Sequence, residues 1–169
     1  SSSVHLDITS FHVDGEYSQE DGDDTGLIQL VRGYSRDHRP ELNQVVLELI
    51  CENQAGIPVY MQALSGNTND AKAFEKVAKH HIQSLKAAVE SRHFVGDAAL
   101  YTHETTESLH HQQQLFVSRV PMTLNQAKEL VQQSADAQFE TIREGCTGSW
   151  FDCDYAGIKQ RWLVICSEQ

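Results

Sequence analysis

The chain has 169 residues, 40% of them hydrophobic, and a formal net charge of −11. That size and apolar content suit one folded domain with an appended piece and exclude a disordered chain. No apolar run approaches the roughly 18 residues a membrane-spanning helix needs, and the negative charge weighs against DNA binding through the overall field, because DNA-binding faces are usually basic. The first residues carry no charged leader ahead of an apolar stretch, so no secretory signal is expected, and a cytoplasmic location is the expectation that goes with reduced thiols. Cys51, Cys146, Cys153 and Cys166 form no CxxC pair and no zinc spacing. They are expected as reduced thiols, with a disulfide among the last three left open.

Residues 4–13 alternate and are rich in β-formers, which predicts a strand. Val4, Leu6 and Ile8 share one face, and His5, Asp7 and Thr9 the other. An acidic stretch with Asp14, Glu16, Glu20, Asp21, Asp23 and Asp24 reads as a solvated loop. Arg32, Arg36, His38 and Arg39 follow, the last three within a loop over 33–40. A strand over 44–52, a turn at Asn53–Gly56 and a returning strand over 58–64 make a hairpin. The stretch Gly66–Asp70 ends the sheet and caps a helix, with Asp70 as the expected cap. The apolar stripe of that helix (Phe74, Val77, Ala78, Ile82, Leu85, Ala88, Val89) runs unbroken to about residue 90.

Phe94–Asp97 reads as a short buried strand ending in a carboxylate. A polar helix over 103–113 and a strand over 115–120 come next. Thr123 and Gln126 make a capping box ahead of a helix carrying Leu124, Ala127, Leu130 and Val131. From Phe139 the pattern turns to β, with strands expected at 139–142, 150–155 and 160–166. This order predicts an α/β, ribonuclease H-like mixed sheet flanked by helices, with a β-rich C-terminal insertion. The expected division is a catalytic core over 1–133 and the insertion segment over 134–169. In such an arrangement the first strand and the strand after the first helix lie adjacent and parallel, which brings Asp7 toward Asp97. Two strand-borne carboxylates meeting at one point make a site for a hard cation such as Mg²⁺ or Mn²⁺.

Four segments carry a resemblance: His5–Gly15, Gly33–Leu42, Gly66–Asp70 and Val95–Tyr101. In that order they resemble the motifs of bacterial insertion-sequence transposases of the DDE type, and the match continues more weakly to Trp162–Val164. The resemblance implies metal-dependent DNA strand cleavage and strand transfer, with Asp7 and Asp97 as the first two acids of a metal-binding triad. It implies DNA (transposon ends and target) as the partner of the full-length protein, and assembly as a homodimer. The third acid of such enzymes is a glutamate on a later helix. Glu168 is not in a helical context, so the chain is expected to be a partial catalytic domain, inactive alone.

Other readings stand beside these. Asp97 also fits a helix N-cap after a strand, and Asp14 a turn with Gly15. Arg36, His38 and Arg39 are candidate contacts to DNA phosphate, because arginine forks match phosphate geometry; pairing with the acidic loop is the alternative. The pairs His80–His81 and His110–His111 point about 100° apart on a helix and are poor chelates. Two further functions fit the same residues: a non-catalytic ribonuclease H-like remnant acting as an interaction module, and an unrelated two-metal nuclease.

Overall fold

Alternation in the first strand sets the layout. The computed structural model describes residues 3–15, 27–34, 38–89 and 92–167, and places the chain in two compact units, Ser1–Arg119 and Val120–Gln169. The acidic stretch from Glu16 to Asp24, Arg36 and Glu168 lie outside the described residues. In β1 (Ser3–Val13), Val4, Leu6, Ile8 and Ser10 are buried, whereas His5, Asp7 and Phe11 are exposed. The strand therefore has one face for a core and one for solvent.

β2 (Asn43–Glu52) runs antiparallel to β1, and β3 (Pro58–Ser65) antiparallel to β2. After two helices, β4 (His93–Gly96) returns parallel to β1, and β5 (Leu115–Ser118) lies parallel to β4. The sheet order is β3-β2-β1-β4-β5, the ribonuclease H-like arrangement expected from the chain order. Val4, Leu6, Ile8, Val46, Ile50 and Phe94 from the sheet pack in one core with Phe74, Val77, Ala78, Ile82, Leu85 and Leu109. The last six belong to α1 (Asp70–His80), α2 (Ile82–Val89) and α3 (His103–His111), so these helices cover one sheet face. On the other face Phe11, Met61, Leu115 and Val117 are 52–67% exposed.

Several local expectations are corrected. The continuous helix to residue 90 is divided at His81, whose φ of −117° leaves the helical range. The apolar stripe survives the break, since Ile82 and Leu85 are still buried, and the His81 ring rests 4.9 Å from Tyr60. Asn69, not Asp70, is the cap: its side chain accepts the Lys72 N–H at 3.2 Å. Asp70 is the first helical residue, where the helix dipole favours a negative charge. The capping box at Thr123 does not form; α4 (Asn125–Gln133) starts after Leu124 with no side-chain cap.

The second unit contains α4 and an antiparallel sheet of β6 (Glu140–Arg143), β7 (Cys146–Tyr155) and β8 (Ile158–Ser167). β7 begins at Cys146, ahead of the expected Trp150, because Cys146–Ser149 pairs with β8 from Val164 to Ser167. All four cysteines are free. Cys146 lies opposite Ser167 and Cys166 opposite Thr147, which puts these two thiols on opposite faces of the sheet.

Gly33 and Gly66, each the first residue of a motif segment, explain one another. The Gln44 side chain, 1% exposed, donates to the carbonyls of Tyr34 and Gly66 at 3.1 and 2.6 Å. Gly66 N–H donates to Gln29 O, and Gln44 N–H to Val31 O, both at 3.0 Å. A Cβ on Gly66 would stand 2.0 Å from the Gln44 carbonyl oxygen, and one on Gly33 2.0 Å from that of Gly66. Backbone atoms cannot yield at such distances. Gly66→Ala is expected to cost about 2 kcal/mol or more, lowering Tm by roughly 5–10 °C. An unchanged melting curve by circular dichroism would contradict this packing.

Candidate metal centre

Asp7 owes its position to the β1 alternation and Asp97 to the end of β4. The parallel ladder pairs Ser3 with His93, Val4 with Phe94 and His5 with Val95. Two residues beyond the His5–Val95 pair stand Asp7, within β1, and Asp97, the first residue after β4. Both are exposed. Asp7 also lies opposite Leu49 on β2, which lies opposite Met61 on β3, so its rung belongs to the uncovered face. β4 stops at Gly96 while β1 continues to Val13, and the pairing between them ends at His5–Val95. The carboxyl ends of parallel strands in open α/β sheets are where ligands bind.

The chain after β4 is held tightly. A Cβ on Gly96 would lie 2.7 Å from Leu100 Cδ1, so glycine lets the fully buried Leu100 pack against the strand end. Asp97 caps the 3₁₀ turn Ala98–Leu100, its Oδ1 accepting the Ala99 N–H at 2.9 Å. Asp7 Oδ1 accepts the N–H of Ile8 at 2.9 Å. Each carboxylate thus has one oxygen engaged by backbone and orientation set locally. The capping and metal readings of Asp97 are compatible, because an ionised carboxylate has about four lone-pair sites. Among the described residues no group of three His, Cys, Asp or Glu could hold a metal ion. The fit to a hard cation is that of two oxygen donors of an incomplete set.

The remaining candidates do not join this pair in the structure. Arg39 Nε donates to Glu41 Oε1 at 2.5 Å; the Glu41 carboxyl is held below its ordinary range, first by that bond. His38 is exposed at φ 56°. His80, His110 and His111 are exposed helix positions, as expected.

Sequence reasoning missed Glu48. Its signal was present: a lone carboxylate in the Val45–Ile50 run, on the face of Val46 and Ile50 by period two. It is 1% exposed in the core, on the helix-covered side. Glu48 Oε1, Ser10 Oγ and Gln44 Oε1 have no protein hydrogen-bond partner. Burial pushes the Glu48 carboxyl up to about 7, offset only in part by Lys76.

Comparison with known proteins places the fold. No protein-family model and no curated protein matches the sequence. Among solved structures, the chain is similar to the piggyBac transposase in its synaptic complex with hairpin DNA, with TM-score 0.53 and 12% identity. The match covers 98% of this chain and 33% of that one. The chain has a ribonuclease H-like fold. It spans about a third of the length of the piggyBac chain. The Mos1 mariner paired-end complex with Mn is also similar, at TM-score 0.43 and 14% identity, over 82% of this chain and 44% of that one. The fold assignment rests on the first of these.

Glu48 yields a pH dependence with a definite sign. A carboxyl raised in the folded state from 4.5 to about 7 binds its proton more tightly when folded. Its contribution to stability is therefore full below the unfolded value and is lost as pH rises through about 7. With screening allowed for, the loss is on the order of 1–2 kcal/mol. In urea unfolding, the stability of the unaltered chain should fall from pH 5 to pH 8 relative to Glu48→Gln. Parallel pH profiles for the two proteins would show that Glu48 does not titrate in this window.

Proposed function

We propose that this chain is part of the catalytic core of a DDE-type, insertion-sequence transposase, in which Asp7 and Asp97 bind a divalent metal for DNA strand cleavage and transfer. One observation carries the reading: β1 and β4 pair in parallel up to His5–Val95, and the exposed Asp7 and Asp97 each follow that pair by two residues. The transposase fold and the order of the motif segments support it. Mg²⁺ or Mn²⁺, when bound, supplies activation of the attacking hydroxyl and stabilisation of the leaving oxygen of a phosphodiester.

The chain's own residues prepare for that role by fixing two carboxylates on a rigid sheet. Local backbone bonds to Ile8 and Ala99 orient them and leave oxygen capacity toward solvent. DNA is the partner this reading requires. With net charge −11, the chain must attract it through a local site and bound cations rather than through its overall field. Two donors predict weak metal binding.

Mn²⁺ titration by calorimetry tests the reading. Saturable binding is expected, weakened at least about tenfold in Asp7→Asn and in Asp97→Asn. Asparagine preserves the amide-accepting oxygen, so the turn at Ala98–Leu100 stays capped while the charge goes. Binding indifferent to both changes would favour the non-catalytic remnant, since that fold needs no metal at this position.

A further inference from the structure

The rung that locates the two aspartates extends to a third strand. His5 pairs with Val95, and Val95 pairs with Val117 on β5, giving one row across β1, β4 and β5. Two residues further along the chain stand Asp7, within β1, and Asp97 and Arg119, each the first residue after its strand. Leu115 and Val117, 52% and 55% exposed, lie on the uncovered face, and Arg119 leaves β5 two residues after Val117. The last β4–β5 rung pairs Gly96 with Ser118, so the chain reaches Asp97 and Arg119 from neighbouring strand ends about 4.8 Å apart. The end of β5 is also tied to this place: Ser118 Oγ donates to the backbone carbonyl of Asp97 at 2.6 Å. Arg119 is exposed, and none of the ion pairs among the described residues involves it.

We propose that Arg119 binds a non-bridging phosphate oxygen of the DNA strand engaged at Asp7 and Asp97. The assignment rests on the metal-dependent reading above and adds a substrate contact to it. Asp7 and Asp97 would be neutralised by a divalent cation held between them, which would leave the charge of the phosphodiester uncompensated. The guanidinium supplies the matching positive charge. Its planar fork of N–H donors suits a pair of phosphate oxygens, and it stays charged at any working pH. In phosphoryl transfer, charge is spread over the equatorial oxygens, so a cation placed beside them acts on the transition state as well as on binding. A fixed strand end delivers that cation more reliably than a loop arginine would.

The test measures binding of a short DNA duplex to the full chain by fluorescence anisotropy, with Mn²⁺ present and over a range of salt. Arg119→Gln should weaken duplex binding about tenfold and lower the salt slope by about 0.9, the signature of one lost phosphate contact. Arg119→Lys should recover part of the affinity, since it keeps the charge without the fork. Lys72→Gln, on a helix that covers the opposite sheet face, should leave both quantities unchanged. Mn²⁺ affinity by calorimetry should be the same in all four proteins. Unchanged duplex binding in Arg119→Gln, with Mn²⁺ still held at Asp7 and Asp97, overturns the Arg119 assignment and leaves the metal reading standing. Loss of Mn²⁺ binding in that variant makes Arg119 a support for the carboxylates and likewise overturns it, as does Mn²⁺ binding by the unaltered chain without any duplex binding. Failure of the unaltered chain to bind Mn²⁺ overturns both readings together.

Discussion

The short parallel ladder between β1 and β4 is the constraint on which the site depends. It consists of three residue pairs at the start of β1. Parallel pairing cannot be made by a tight turn and requires a crossover, here supplied by α1 and α2. The helices that make the crossover also cover the sheet, so the packing that buries Phe74, Val77 and Ile82 sets the register that aligns the aspartates. A slip by one residue would turn Asp97 into the core and Gly96 out of it. The fit of Gly96 under Leu100 opposes such a slip, since any larger residue there meets the Leu100 side chain.

The sheet divides its labour by face. The helix-covered face is apolar along β1 as far as Ile8, and its polar exceptions are Ser10, Gln44 and Glu48. Gln44 has an evident purpose, because its amide joins the strand end to the segments around Tyr34 and Gly66. Two of the motif segments that suggested DNA chemistry are therefore at least partly architectural: their leading glycines are required by close backbone contact. The uncovered face carries the titratable groups of the candidate site.

Strands were readable where β-formers cluster: β1 announces itself by a period of two and β2 by an almost unbroken apolar run. The division of the helix at His81 was not readable, because the apolar stripe continues across it and only the backbone changes course. Asp70 and Asn69 are both good caps by type; which one serves depends on where the chain leaves β3. Thr123 and Gln126 satisfy a capping pattern, yet the backbone enters α4 one residue later. Asp7 and Asp97 were legible as acids on or just after apolar, β-prone runs, and the parallel pairing of β1 with β4 followed from the expected topology. Arg119 was not legible as part of the same row, because β5 register is a property of the folded sheet and leaves no periodic mark in four residues. Glu48 was visible as an oddity in an apolar run, but its depth was known only once α1 lay over it.

The uncovered sheet face has a colloidal consequence as well as a chemical one. Phe11, Met61, Leu115 and Val117 present apolar surface to water on a sheet whose edge strand is β5. Such surfaces invite association between copies. The net charge of −11 opposes this by mutual repulsion, so the same acidity that discourages DNA at long range keeps neighbouring molecules apart. That protection is electrostatic and has a Debye length of only about 10 Å at 0.1 M salt. The chain is thus kept dispersed by a force that ionic strength weakens, over a sheet face whose attraction to itself salt does not weaken.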